Sequence, residues 1–181
     1  MKILEDFKRY SEGSLQKGLI AIIFNQGFHA VVIYRLSYFF GCFPVLSIIG
    51  KILMNLNKIL YGIEIDFRAN FAGGLKIVHG TGIVVGGLVR SLGAVTLYQG
   101  VTLGNGGTYG SKKKCYENEI LQQPLIYPNV VIFAHATVLG PVVLSKNVHV
   151  GAGTILMDDV EENMVVYNKK ELVKTKRKDI V

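Results

Sequence analysis

Four histidines are spread through the chain, and they differ in what they could do. His79 stands in the string Ile77-Val78-His79-Gly80-Thr81-Gly82, where flanking glycines let a second group approach closely. A neutral imidazole near pH 7 is the natural base for a hydroxyl nucleophile, so His79 is the candidate for proton transfer. His29 lies in an apolar stretch and reads as structural, and His149 reads as a turn residue. His135, in Phe133-Ala134-His135-Ala136, reads as a solvent-facing turn residue or as the border of a ligand channel. Cys42 and Cys115 show no metal-ligand spacing and have no histidine nearby in sequence. They argue against a metal site or a thiol nucleophile and for a reducing compartment. The 20 Lys+Arg outnumber 13 Asp+Glu, for a net charge of +7, which favours a partner carrying phosphate or carboxylate. Half of the 181 residues are apolar and 18% are charged, which excludes a disordered chain.

The elements that must position His79 follow from periodicity. Beyond Tyr61, Ile65, Phe71, Ile77, Ile83, Val89, Val95 and Val101 recur every six residues. After a polar interruption, Ile126, Ile132, Val138, Leu144, Val150 and Leu156 do the same in a new phase. Neither a helix nor a flat strand has that period, whereas a hexapeptide β-helix does. Each hexad supplies one face of a triangular coil, its anchor points inward, and small residues make the corners. Eighteen residues make a coil, so the thirteen anchors predict a little over four coils across residues 61–166. Residues 105–123, with Gly106, Gly107, Gly110 and Lys112 to Lys114, cannot form such a face and are expected to project as a loop. Residues 1–60 read as helices. Val45, Ile48, Ile49, Ile52, Leu53, Leu56 and Leu60 form a helical stripe expected to pack inward, with seating on an anionic membrane surface as the other use. Gly18 to Tyr34 and Leu36 to Gly50 are too interrupted for membrane spans, and Met1 to Ser14 does not read as a signal peptide. Residues 167–181 read as a basic tail.

Three blocks carry a resemblance. Gly62-Ile63-Glu64-Ile65-Asp66, His79-Gly80-Thr81-Gly82-Ile83-Val84-Val85-Gly86 and Gly100-Val101-Thr102-Leu103-Gly104 resemble the serine acetyltransferase group of hexapeptide-repeat acyltransferases. Leu4-Glu5-Asp6, Tyr34-Arg35-Leu36 and the short helical half look more like a colanic acid biosynthesis acetyltransferase of the capsule and exopolysaccharide branch. The resemblance implies a mainly β protein, a left-handed parallel β-helix behind an N-terminal helical segment. It also implies a homotrimer with sites between neighbouring β-helices, no required metal, no nucleic-acid partner and a cytoplasmic setting. Acetyl-CoA is the implied donor, with Gly104, Ala134, Gly151 and Ala152 along its arm and Lys112 to Lys114, Lys169 and Lys170 near its phosphates. The family's catalytic histidine falls on His79, and its orienting carboxylate on Glu64, fifteen residues earlier. Gln99 and Gln123 are the implied acceptor contacts. The family's His–Pro pair is here Gln123-Pro124, the arginine before it is Gln122, and an Asp before the histidine is Val78. Those departures favour a sugar hydroxyl of a surface polysaccharide, or of its lipid-linked precursor, as acceptor. In that setting the N-terminal helices would touch the inner face of the membrane. Serine O-acetyltransferase is the alternative.

Overall fold

The computed structural model describes residues 1–106, 113–117 and 119–168. Four helices, α1 (Lys2–Ser11), α2 (Leu15–Phe24), α3 (Gln26–Gly41) and α4 (Ser47–Tyr61), precede a coil of short strands. The strands stack into three parallel faces. Face A holds β1 (Ile63–Ile65), β3 (Ile83–Val85), β6 (Thr102–Gly104), β11 (Thr137–Leu139) and β14 (Ile155–Leu156). Face B holds β4 (Arg90–Ser91), β9 (Leu125–Ile126) and β12 (Val143–Leu144). Face C holds β2 (Leu75–Val78), β5 (Val95–Tyr98), β10 (Val130–Ile132), β13 (His149–Val150) and β15 (Val165–Val166). The chain winds from A to B to C, the arrangement of a left-handed parallel β-helix.

All thirteen hexad anchors are buried, so the period does read the inward direction. It hides two irregularities. Glu64 pairs with Val84, twenty residues on, whereas Val84 pairs with Thr102, eighteen on. The first coil therefore carries two extra residues, and they lie in the corner 79–82 that bears His79. The count survived because each face buries two residues, such as Ile63 and Ile65, and the insertion exchanges one for the other. The last coil shortens instead, with His149 paired to Val165. A fifth coil thus forms where the hexads predict little more than four.

A β-helix leaves the backbone groups of its first coil unpaired. Here helix side chains pair them. The Asp6 carboxylate accepts the Gly74 and Leu75 N–H groups at 2.8 Å each. Arg35 binds Asp6 through Nε at 2.8 Å and donates to the Phe71 and Ala72 carbonyls. The Tyr34 hydroxyl donates to Ala69 O at 2.7 Å, and that of Tyr10 accepts the Ile77 N–H at 2.7 Å. The two segments that suggested a capsular relative thus have a structural use as the clamp between the two halves.

Helix α4 packs on α3 through small and polar residues. Ser37 Oγ donates to Gly50 O at 2.7 Å, and Asn57 Nδ2 to Ala30 O at 3.2 Å. A Cβ at Gly50 would stand 2.9 Å from Ser37 O, so only glycine permits that approach. The apolar stripe of α4 consequently faces outward. Val45 just before the helix and Ile48, Ile52, Leu56 and Leu60 within it are exposed, contrary to the inward packing expected from the pattern, while Ile49 and Leu53 of the same stripe are half-buried. No single described helix is long and apolar enough to cross a membrane.

Within the stretch expected to project as a loop, the described residues 113–117 and 119–121 include a hairpin. Lys114–Tyr116 and Glu119–Leu121, β7 and β8, pair antiparallel with Lys114 opposite Leu121. Lys114 reaches Asp159, Arg90 reaches Glu119, and the Tyr116 and Tyr127 hydroxyls meet at 3.1 Å. Leu121 buries against Leu125 and Val143.

Candidate active site

His79 sits on the two-residue bulge with φ 55°, the left-handed region that few non-glycine residues occupy. Such backbone tends to persist where surrounding structure enforces it. The enforcement is visible. Gly82 N donates to Gly62 O at 2.8 Å, and Gly80 lies so close to Ile63 that a Cβ would come within 2.4 Å of its side chain. The His79 side chain is exposed and has no hydrogen-bond partner among the described residues. It lines a cavity of about 240 Å³ with Phe24, Asn25, Gln26, Gly27 and Gly80. Helix α3 is pressed against this corner, since a Cβ at Gly27 would lie 2.3 Å from Ile77 O. Asn25 caps α3, accepting the Phe28 N–H at 3.0 Å.

Asn25 and Gln26 were not singled out from sequence. Their only sequence signal is the capping asparagine with a glycine two residues on, which marks a helix start but not what it faces.

Glu64 is the middle residue of β1, on face A opposite Val84, and within one chain its carboxylate pairs with Lys58 Nζ at 2.6 Å. No bond joins Glu64 to His79 among the described residues. Gln99 occupies the corresponding corner of the next coil, and its Oε1 is buried with no partner among the described residues. His135 is an exposed corner residue at φ 58°, with its ring over Gly100. His149 differs from the expected turn residue: it lies in β13, exposed, edge-on to Phe133 at 6.0 Å. His29, expected to be structural, is half-buried and places Nε2 2.6 Å from Ile22 O.

The remaining expected residues divide between two corners. Ala134 and Ala152 lie on the His79 side of face A, as does Gly151. A Cβ on Gly151 would stand 2.8 Å from Tyr167 Cβ, so close packing already requires glycine there. Gly104 lies at the far edge of face A, where added Cβ would meet open space. Gln123 is at that far edge too. Its Oε1 accepts the Leu88 N–H at 2.9 Å, and the carboxamide fills the space where a Gly86 Cβ would go. Lys114 is spent on Asp159. Lys112, Lys169 and Lys170 lie outside the described residues.

His79 and Gln123 therefore stand at opposite edges of face A. Strand β3 alone separates the edges by about 10 Å at 3.3 Å per residue, too far for one small acceptor to touch both in one chain. Both cysteines are exposed and free, and no cluster of metal ligands exists among the described residues.

The chain is thus a triangular parallel β-helix with an exposed histidine, His79, at one corner. No family model matches the chain. Curated relatives do. The chain is 32% identical over 151 residues to serine acetyltransferase of Synechococcus elongatus, covering 83% of this chain and 58% of that protein. It is 30% identical over 155 residues to serine acetyltransferase of Helicobacter pylori, covering 86% of this chain and 85% of that protein. The chain belongs to the serine acetyltransferase family. Among solved structures, Neisseria gonorrhoeae serine acetyltransferase in complex with serine matches with a TM-score of 0.78 at 25% identity, over 92% of this chain and 65% of that one. The Brucella abortus serine acetyltransferase in complex with coenzyme A shares the fold, with a TM-score of 0.77 at 22% identity over 91% and 62%.

These matches overturn the polysaccharide acceptor expected from Gln122-Gln123 and the short helical half. The relatives are named for serine, and one was solved holding it. The inference failed because it read a changed contact as a changed substrate. Gln123 Oε1 accepts the Leu88 N–H, so an amide there has a packing role and does not by itself point to a sugar.

Proposed function

We propose that this protein is a serine O-acetyltransferase that moves acetyl from acetyl-CoA to the hydroxyl of L-serine. The observation that carries the reading is the Helicobacter pylori relative, whose match covers 86% of this chain and 85% of that protein. His79 removes the serine hydroxyl proton as the oxygen attacks the thioester carbonyl. Corner N–H groups stabilise the oxyanion, and the imidazolium returns its proton to the departing thiolate of coenzyme A. Glu64 orients His79 once it exchanges Lys58 for the imidazole. General-base help of this kind is worth about 10²–10⁴-fold. The rest comes from holding the two substrates together.

The functional unit is a homotrimer in which one chain supplies His79 and its neighbour the far edge of face A. The separation of His79 from Gln123 supports this arrangement. Ala134, Gly151, Ala152 and Gly104 then border the coenzyme arm from two chains, with Gln99 and Gln123 on the acceptor and Lys169 and Lys170 at the phosphates. The substrates imply a cytoplasmic setting. The test is a panel of free amino acids incubated with acetyl-CoA and purified protein, read by mass spectrometry. Acetyl should appear on L-serine. A panel in which serine stays unmodified while coenzyme A is released onto another acceptor contradicts the reading.

A further inference from the structure

A cleft of about 610 Å³ opens where the corner after β1, the corner after β3 and the β7–β8 hairpin meet. Arg68, Asn70, Arg90, Glu119 and Gln122 are among its walls. We propose that this cleft holds the carboxylate of the amino-acid acceptor, with Arg68 and Arg90 as its charge partners. The inference rests on the serine reading and adds residues that sequence reasoning did not assign.

The charge balance favours an anion. Of the charged residues that line it, two are cations, Arg68 and Arg90, and one is an anion, Glu119; Asp66 pairs with Arg68 behind the wall, and Lys2 Nζ binds the lining residue Asn70 at 2.7 Å. The guanidinium groups are held in place yet not used up. Arg68 gives Nε and Nη2 to the two oxygens of Asp66 at 3.0 and 2.8 Å, leaving Nη1 without a partner among the described residues. Arg90 gives Nη2 to Glu119 and keeps Nε and Nη1. A guanidinium has five donors in a rigid fork, and one fixed by a first carboxylate presents the remainder to a second. Burial pushes the Asp66 carboxyl up, but the Arg68 side chain and N–H outweigh it and hold it below its ordinary value. Asp66 thus stays charged and keeps Arg68 oriented.

Glycine makes the room. A Cβ at Gly87 would come within 2.9 Å of Arg68 Nε and 3.0 Å of Nη2, so any other residue would displace the guanidinium. Gln123 ties the root of the hairpin to this same corner through Leu88. The cleft therefore shares the far edge of face A, where the proposed trimer needs its acceptor contacts.

The experiment compares L-serine with L-serinamide, which keeps the hydroxyl and ammonium but has a neutral amide in place of the carboxylate. Arg68→Gln and Arg90→Gln should each raise the KM for serine about tenfold, the scale of one charge-assisted contact. They should leave kcat and the KM for acetyl-CoA nearly unchanged, and shrink the preference for serine over serinamide. Glu119→Gln, which breaks the same ion pair but keeps the guanidinium, should retain that preference. An unaltered serine KM in the folded double variant Arg68→Gln/Arg90→Gln overturns the proposal while the serine reading stands. So does a Glu119→Gln variant that matches Arg90→Gln, since Arg90 would then only brace the hairpin. Wild-type protein inert toward serine removes the functional reading, and this inference with it.

Discussion

At the scale of single residues, His79 and Tyr34 show how far side chains can be read before the fold is known. His79→Ala should lower turnover by at least about a hundredfold, the lower end of general-base catalysis. Coenzyme A binding, followed by calorimetry, should persist. Tyr34 makes a different prediction. Its hydroxyl donates to Ala69 O and accepts the Phe71 N–H, and burial pushes its pKa up to about 12. A raised folded value means that the neutral form stabilises the fold. That contribution is complete below the ordinary tyrosine value near 10 and is lost as pH rises toward 12. Tyr34→Phe should cost about 1–3 kcal/mol at neutral pH, because two buried backbone groups lose their partner. It should also flatten the loss of melting temperature between pH 10 and 12, and an unchanged alkaline slope would remove Tyr34 from that role. The glycine-flanked string marked His79 as the candidate base. Asn25, Gln26, Arg68 and Arg90 were not legible, because they come to their sites through stacking between coils and the docking of α3, which no local pattern records.

At the scale of elements, the hexad period identified the β-helix, and every anchor it named is buried. The two-residue bulge at His79 escaped it, because a coil face has two inward positions and tolerates a change of phase. The stripe of α4 was legible as a helix but not in its direction, because Gly50 and Asn57 decide which side meets α3. The clamp between the halves is a testable element. Asp6 is fully buried, and its Arg35 partner is nearly so. Asp6→Ala leaves a buried guanidinium unpaired and orphans two N–H groups of the first coil. The expected cost is about 3–5 kcal/mol. For a domain of this size that is a fall of about 6–20 °C in Tm by calorimetry. A melt within a degree or two of wild type would show that the helices are not held to the β-helix through this pair.

At the scale of the whole molecule, one chain is incomplete in two ways. The two proposed halves of the site sit on opposite edges of face A, and the apolar side chains of α4, with Leu19, Ile22, Ile23 and Phe24 of α2, are uncovered. Surface of that kind is ordinarily buried by a neighbour. Light scattering should give three times the 19.9 kDa chain, or a multiple of that trimer, and a monomer at micromolar concentration would remove the shared site. The measurement that tests the account most directly is steady-state turnover of L-serine and acetyl-CoA by wild type beside folded His79→Ala. Wild type should release one coenzyme A for each O-acetylserine formed, and the variant should bind coenzyme A but scarcely turn over. A wild type that leaves serine untouched, or a His79→Ala trimer that acetylates it at near-normal rate, would contradict the account.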